Sequence, residues 1–211
     1  MRFEGILAVV TLTTALTGAP AAAHTFEHPK NVRIEVRAQH MVITVGYDVD
    51  PGRPSQLLRG LFDRNSDGEI DATEQVALLR YLERTAMLFF SMTVAGEQAQ
   101  LVRKAARAYR IDRPVDSTKS LGIQLRYHAP LSRPDGGRVL EVQVEDRDKD
   151  ARKHVPLEAI VAPDWSIHLA SQGEWEPAVR RLSRVRLDRT RPLQLGLRTS
   201  TATVSTSVGG G

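Results

Sequence analysis

The sequence predicts a mainly β fold, an antiparallel β-sandwich-like arrangement interrupted by one inserted helix–loop–helix. Three observations carry this. Apolar and polar residues alternate over most of the chain beyond residue 30, the period of a strand with one buried face. Within residues 54–88 the spacing becomes helical instead. Prolines and glycines punctuate the strands without helices between them, which favours antiparallel pairing.

Taken in order, Val32, Ile34 and Val36 form the first strand, and Ala38-Gln39-His40 offers a turn. Met41, Ile43, Val45, Tyr47 and Val49 then return as the second arm of a hairpin. Pro51-Gly52-Arg53-Pro54-Ser55 marks the start of a helix, since proline is tolerated in the first turn and not in the interior. Leu57, Leu58, Leu61 and Phe62 supply its apolar face, and Val76, Leu79, Leu82 and Ala86 supply that of a second helix. Phe90, Met92 and Val94 resume the strand pattern before a turn at Ala95-Gly96-Glu97. Residues 99–112 fit either a helix or an irregular edge. Leu121, Ile123, Leu125 and Tyr127 make the next strand, stopped by Pro130, and Asp135-Gly136-Gly137 turns the chain into Leu140, Val142 and Val144. Further strands are expected at Val155–Leu157, Trp165–Leu169, Val185–Leu187 and Leu193–Leu197. The helical segment is thus an insertion between the second and third strands.

The chain has 211 residues, with 41% hydrophobic and 26% charged residues, ordinary for a globular protein. Residues 1–23 read as a signal peptide: Arg2 near the start, an apolar run from Ile6 to Leu16, and Ala21-Ala22-Ala23 before a cleavage point. The run is too short to span a bilayer, which takes about 20 apolar residues. The mature domain would cover 24–199, and 200–211 would be a Ser/Thr/Gly tail without charge or apolar period. No cysteine is present, so there is no disulfide framework. Export without cysteine suits a bacterial periplasmic or secreted protein. The net charge of +4 rests on arginine. Two crowded regions, Arg103, Lys104, Arg107 and Arg110, and Arg180 to Arg191, could attract anionic lipid or acidic polysaccharide, but read first as solvated strand faces. No aromatic residues interleave with them to stack bases, which argues against nucleic acid.

The chemistry lies in Asp63-Arg64-Asn65-Ser66-Asp67-Gly68-Glu69-Ile70-Asp71-Ala72-Thr73-Glu74. Ca²⁺ is a hard cation that takes about six to eight oxygen ligands. Asp63, Asn65 and Asp67 offer side-chain oxygens from alternate positions, and Gly68 permits a sharp turn. This run between two helices resembles the EF-hand family, whose constrained positions would coincide here by chance in about one chain in 10⁴. The resemblance covers residues 54 to 88. It implies that Glu69 contributes its backbone carbonyl, that Asp71 acts directly or through water, and that Glu74 closes the shell with both oxygens. It further implies that Ile70 lies on a short strand by which two such loops pair, possible here across a homodimer. Asp146-Arg147-Asp148-Lys149-Asp150 is no second loop, having Ala151 where glycine belongs and Leu157 where the closing carboxylate belongs.

The expected function is calcium binding by a non-enzymatic exported protein, with the ion structural rather than sensory and a protein or envelope component as partner. Repulsion among Asp63, Asp67, Asp71 and Glu74 would hold the loop open without the ion. An alternative starts from cleavage after Ala23, which leaves His24 at the amino terminus. A terminal amine with its own imidazole chelates Cu²⁺, and His28, His40, His128, His154 or His168 could complete a nitrogen site. There is no cysteine nucleophile, no G-x-S-x-G elbow and no His-Glu-x-x-His run to support a hydrolase.

Overall fold

The structure is a computed structural model that describes residues 30–134, 138–147, 155–187 and 191–200. The expected signal peptide, His24, His28, His154, the expected turn at 135–137, the acidic run from Asp148 onward and the expected tail beyond Ser200 lie outside the described residues.

Among the described residues, twelve strands and two helices follow one another: β1 (Lys30–Val36), β2 (His40–Val49), α1 (Arg53–Gly60), α2 (Ala72–Met87), β3 (Phe90–Val94), β4 (Glu97–Gln98), β5 (Val102–Tyr109), β6 (Leu121–Pro130), β7 (Leu140–Asp146), β8 (Val155–Val161), β9 (Trp165–Ala170), β10 (Glu174–Glu176), β11 (Arg181–Leu187) and β12 (Leu193–Thr199). They form a seven-stranded sheet in the order β10-β11-β8-β1-β2-β6-β5 and a five-stranded sheet in the order β4-β3-β7-β12-β9. The fold is therefore mainly β, with two sheets sharing one core.

The expected antiparallel pairing needs one correction. β1 and β8 run parallel, with Val32 opposite Leu157 and Val36 opposite Val161. A parallel pair needs a long crossover, and the chain makes it through the helices and the second sheet. The β1–β2 hairpin is as expected, although β2 already begins at His40, whose carbonyl accepts from Arg37 N–H. The ambiguous stretch 99–112 contains β5, an edge strand whose first six residues are all exposed.

The helices lie between β2 and β3, and they join the common core rather than hang from a loop tip. Leu58, Leu78, Leu82 and Ala86 are fully buried in the same cluster as the strand residues, and α2 packs over β2 and β6. The buried stripe is offset from the expected one. Leu78 takes the place assigned to Val76, which is 46% exposed, because the faces of α1 and α2 turned to the sheets are narrow. Likewise on α1, Leu58 is buried, while Leu57 and Leu61 face outward. No helix among the described residues is long and apolar enough to cross a membrane.

One glycine is required by the close approach of β10 and β11. Gly173 has φ +89°, and a Cβ there would lie 2.7 Å from the Ser183 carbonyl and 2.6 Å from Val185 Cγ2. Gly173→Ala combines an unfavourable left-handed backbone with a main-chain clash. It should cost about 1–3 kcal/mol, read as a lower urea midpoint with an unchanged slope.

Candidate metal centre

α1 ends at Gly60, and its last turn tightens. Phe62 N–H and Asp63 N–H both donate to the Arg59 carbonyl, at 2.8 and 3.1 Å. This delivers Asp63 at the start of the loop. Its two carboxylate oxygens accept from Asp67 N–H (3.2 Å) and Gly68 N–H (3.1 Å), bending the chain around them. Asn65 Oδ1 accepts from Asp67 N–H at 3.1 Å, and Asp67 Oδ1 from Glu69 N–H at 2.8 Å. Asn65 Nδ2 donates to Asp67 Oδ2 at 2.8 Å. The path needs left-handed backbone at Ser66 (φ +58°) and Gly68 (φ +82°), a conformation natural to glycine and tolerated at a turn serine.

The other end of the loop is a helix cap. Asp71 Oδ1 accepts from Thr73 N–H (2.7 Å) and Glu74 N–H (2.9 Å), and Glu74 Oε2 accepts in return from Asp71 N–H (3.0 Å). This reciprocal box satisfies donors that a helix start leaves unpaired. Glu74 is buried, and its second oxygen crosses the loop to Arg64 N–H at 2.6 Å. One carboxylate thereby joins both ends of the twelve-residue run.

The six sequence-predicted ligands thus fall into two groups. Asp63, Asn65 and Asp67 cluster in the first half, while Asp71 and Glu74 cap α2. The Glu69 side chain is exposed. Among the described residues no three acidic or imidazole side chains converge on a single point. The carboxylates face the loop's own N–H groups instead. N–H dipoles aimed at each carboxylate offset part of the repulsion among them. The donor set is all oxygen, and each carboxylate keeps lone pairs beyond these bonds, Asp71 on its Oδ2. That chemistry fits a hard cation such as Ca²⁺.

Ile70, the residue assigned to loop pairing, is only 4% exposed, and its carbonyl accepts from Gln75 Nε2 at 3.0 Å. The loop instead leans on residues 110–120, which join β5 to β6. Val115 N–H donates to the Gly68 carbonyl at 2.9 Å, and Gln56 Nε2 to the Asp116 carbonyl at 2.6 Å. At the centre of this contact stands Arg59, which is 0% exposed. Its guanidinium donates to the carbonyls of Ser117 (2.9 Å), Arg110 (2.9 Å) and Lys119 (3.1 Å). Sequence reading missed Arg59, because an arginine among helical leucines looks like any solvent-facing charge.

Of the described histidines proposed as copper ligands, His40 and His128 come together on β2 and β6, with ring centroids 4.6 Å apart. His168 lies on the other sheet, in a groove of about 350 Å³ shared with Glu141, Gln143 and Gln194.

No family model matches the chain, and no curated protein matches it. One solved structure that it resembles is native leukotriene A4 hydrolase from Saccharomyces cerevisiae, at 8% identity and a TM-score of 0.32. The match covers 80% of this chain and 28% of the hydrolase. A likeness that low carries no argument about fold or function.

Proposed function

We propose that this is an exported, non-enzymatic protein that holds one Ca²⁺ in an EF-hand-like loop at residues 63–74, with the ion structural rather than sensory. Asp63, Asn65, Asp67 and Glu74 would supply side-chain oxygens, Glu69 its carbonyl, and Asp71 an oxygen directly or through water. The observation that carries the reading is Glu74. A buried carboxylate at the last position bonds N–H groups at both ends of the loop, so it ties the run closed where the last ligand of such a loop would stand. The core position of α2 supports a structural role, because a helix sealed by Leu78, Leu82 and Ala86 has little freedom to swing open. Extracellular modules of this kind bind Ca²⁺ at about 10⁻⁴–10⁻³ M. At ten times the dissociation constant the ion contributes about 1.4 kcal/mol, enough to order a loop already tethered at both ends.

Titration calorimetry on chelator-stripped protein tests this. One site per chain is expected, and Glu74→Gln should raise the dissociation constant about 10- to 100-fold, the equivalent of one charge-assisted interaction of about 1.5–3 kcal/mol. Unchanged affinity in that variant, or no uptake from millimolar Ca²⁺, would remove the assignment. Limited proteolysis separates the two roles of the ion. Removing it should expose cleavage sites between residues 61 and 71 only, whereas new sites within α2 would mark a sensor.

A further inference from the structure

The outer face of the seven-stranded sheet is divided by charge. Across β1, β8, β11 and β10 its charges alternate in one connected row. Arg37 meets Glu35 at 2.7 Å, Arg33 lies 3.6 Å from Glu35 and 3.9 Å from Glu158, and Arg181 lies 3.7 Å from Glu158 and 3.1 Å from Glu176. Across β2, β6 and β5 the compensation stops. Arg126 and His128 stand two residues apart on the outer face of β6, with Thr44 and Val42 of β2 opposite them. His40 stacks on His128 with ring planes 22° apart. A bulge in β5 between Arg103 and Ala105 adds Lys104 beside Arg126, and Arg107 follows on the same strand.

Lys104, Arg107 and Arg126 are exposed, and none of them has an ion-pair partner among the described residues. Glu35 is the acid facing this corner. Its first partner is Arg37, whose hydrogen bond holds the Glu35 carboxyl below its ordinary range, with Arg33 and Arg126 lowering it further. His40 Nε2 is buried with no hydrogen-bond partner among the described residues. The His128 imidazole is held below its ordinary pKa by desolvation first, then by His40, Lys104, Arg126 and Arg37. A group of cations and imidazoles this compact carries more positive charge than the one carboxylate at its edge can balance.

We propose that His40, His128, Arg126 and Lys104 form a binding site for a free tetrahedral oxyanion of the sulfate or phosphate class, and that the anion and a proton on the imidazole pair bind together. Arg126 supplies a guanidinium fork and Lys104 a point charge, the two common ways of holding such an anion. A protonated imidazole adds a donor that the neutral ring lacks. The site is independent of the calcium loop. Binding and protonation must strengthen each other equally, since the coupling is reciprocal. Without anion, the folded chain resists protonating His128 while the unfolded chain does not. Stability is therefore full above the ordinary histidine pKa of about 6.5 and falls as pH drops through the depressed folded value. Bound anion should offset that loss.

Sulfate is the probe, because it keeps both charges across the histidine range. The histidine ring protons are titrated by NMR in sulfate and in chloride at equal ionic strength. The His128 midpoint should lie about half a unit higher in sulfate, which by linkage means about threefold tighter sulfate binding to the protonated form. In Lys104→Gln/Arg126→Gln that sulfate-specific difference should vanish, while the midpoint in chloride rises because two repelling cations are gone. Equal midpoints in sulfate and chloride would reduce the effect to screening and overturn the site. So would an undiminished difference in the double variant, or binding to anionic phospholipid vesicles without any response to free sulfate.

Discussion

Asp146→Ala should lower the unfolding free energy by about 3–5 kcal/mol, the cost of leaving one member of a buried ion pair without its partner. Lys30 Nζ donates to Asp146 Oδ2 at 2.6 Å, with the two side chains 9% and 1% exposed. The same ammonium donates to the Leu88 carbonyl at 2.9 Å. Three elements meet at this point: the first residue of β1 in one sheet, the last of β7 in the other, and the residue that caps α2. Alanine at position 146 would strand the ammonium on a single carbonyl in a nearly dry site. Lys30→Met/Asp146→Leu tests the interpretation, because removing both charges together should cost less than stranding one of them. Denaturant unfolding of the two variants decides it. A loss under about 1 kcal/mol in Asp146→Ala would show that water reaches the ammonium.

This pair also shows where sequence reading stops. The partners are 116 residues apart, and Lys30 looks like any lysine ahead of a strand. Period-two alternation made β1, β2, β6, β7 and β12 legible, since each buries one face. It could not make β5 legible. Val102 to Tyr109 lies at an edge, buries almost nothing, and is a strand because β6 offers it a ladder. The parallel β1–β8 pair was hidden for a related reason: alternation reports which face is buried and not which way a neighbour runs. In the candidate site, spacing brought out Asp63, Asn65, Asp67, Asp71 and Glu74 together, because loop ligands are local in sequence. The 110–120 segment that braces the loop offers only backbone, which leaves no trace in residue types. Arginine was the most misleading residue. Its abundance suggested solvated faces, yet Arg59 is buried among carbonyls, and Arg180 donates to the carbonyls of Val161 (3.0 Å), Ala162 (2.7 Å) and Trp165.

Arg59→Met should cost about 2 kcal/mol of stability and also weaken calcium binding, although the Arg59 side chain touches no proposed ligand. The stability loss follows from three main-chain carbonyls, those of Arg110, Ser117 and Lys119, that lose their donor at about 1 kcal/mol each. Relief from burying the guanidinium offsets part of this. Burial already holds its pKa below the ordinary value, though the group stays charged throughout. The effect on calcium follows from geometry. The Arg59 carbonyl holds the N–H of Asp63, the first loop residue, while the Arg59 side chain holds the segment whose Val115 N–H bonds Gly68 at the loop's turn. Freeing that segment releases the loop at its Gly68 turn, so ordering it must be completed at the expense of binding. The dissociation constant for Ca²⁺ should rise about 3- to 10-fold, less than for Glu74→Gln, with the stoichiometry still one. Arg59→Lys should recover only a fraction of both effects, because a single ammonium cannot reproduce the planar fork that reaches three carbonyls. Calorimetry and denaturant unfolding on the same two variants provide the check. A destabilised Arg59→Met that binds Ca²⁺ as tightly as the parent would show that the loop is ordered by its own capping bonds alone, and that residues 110–120 brace α1 without bracing the ion.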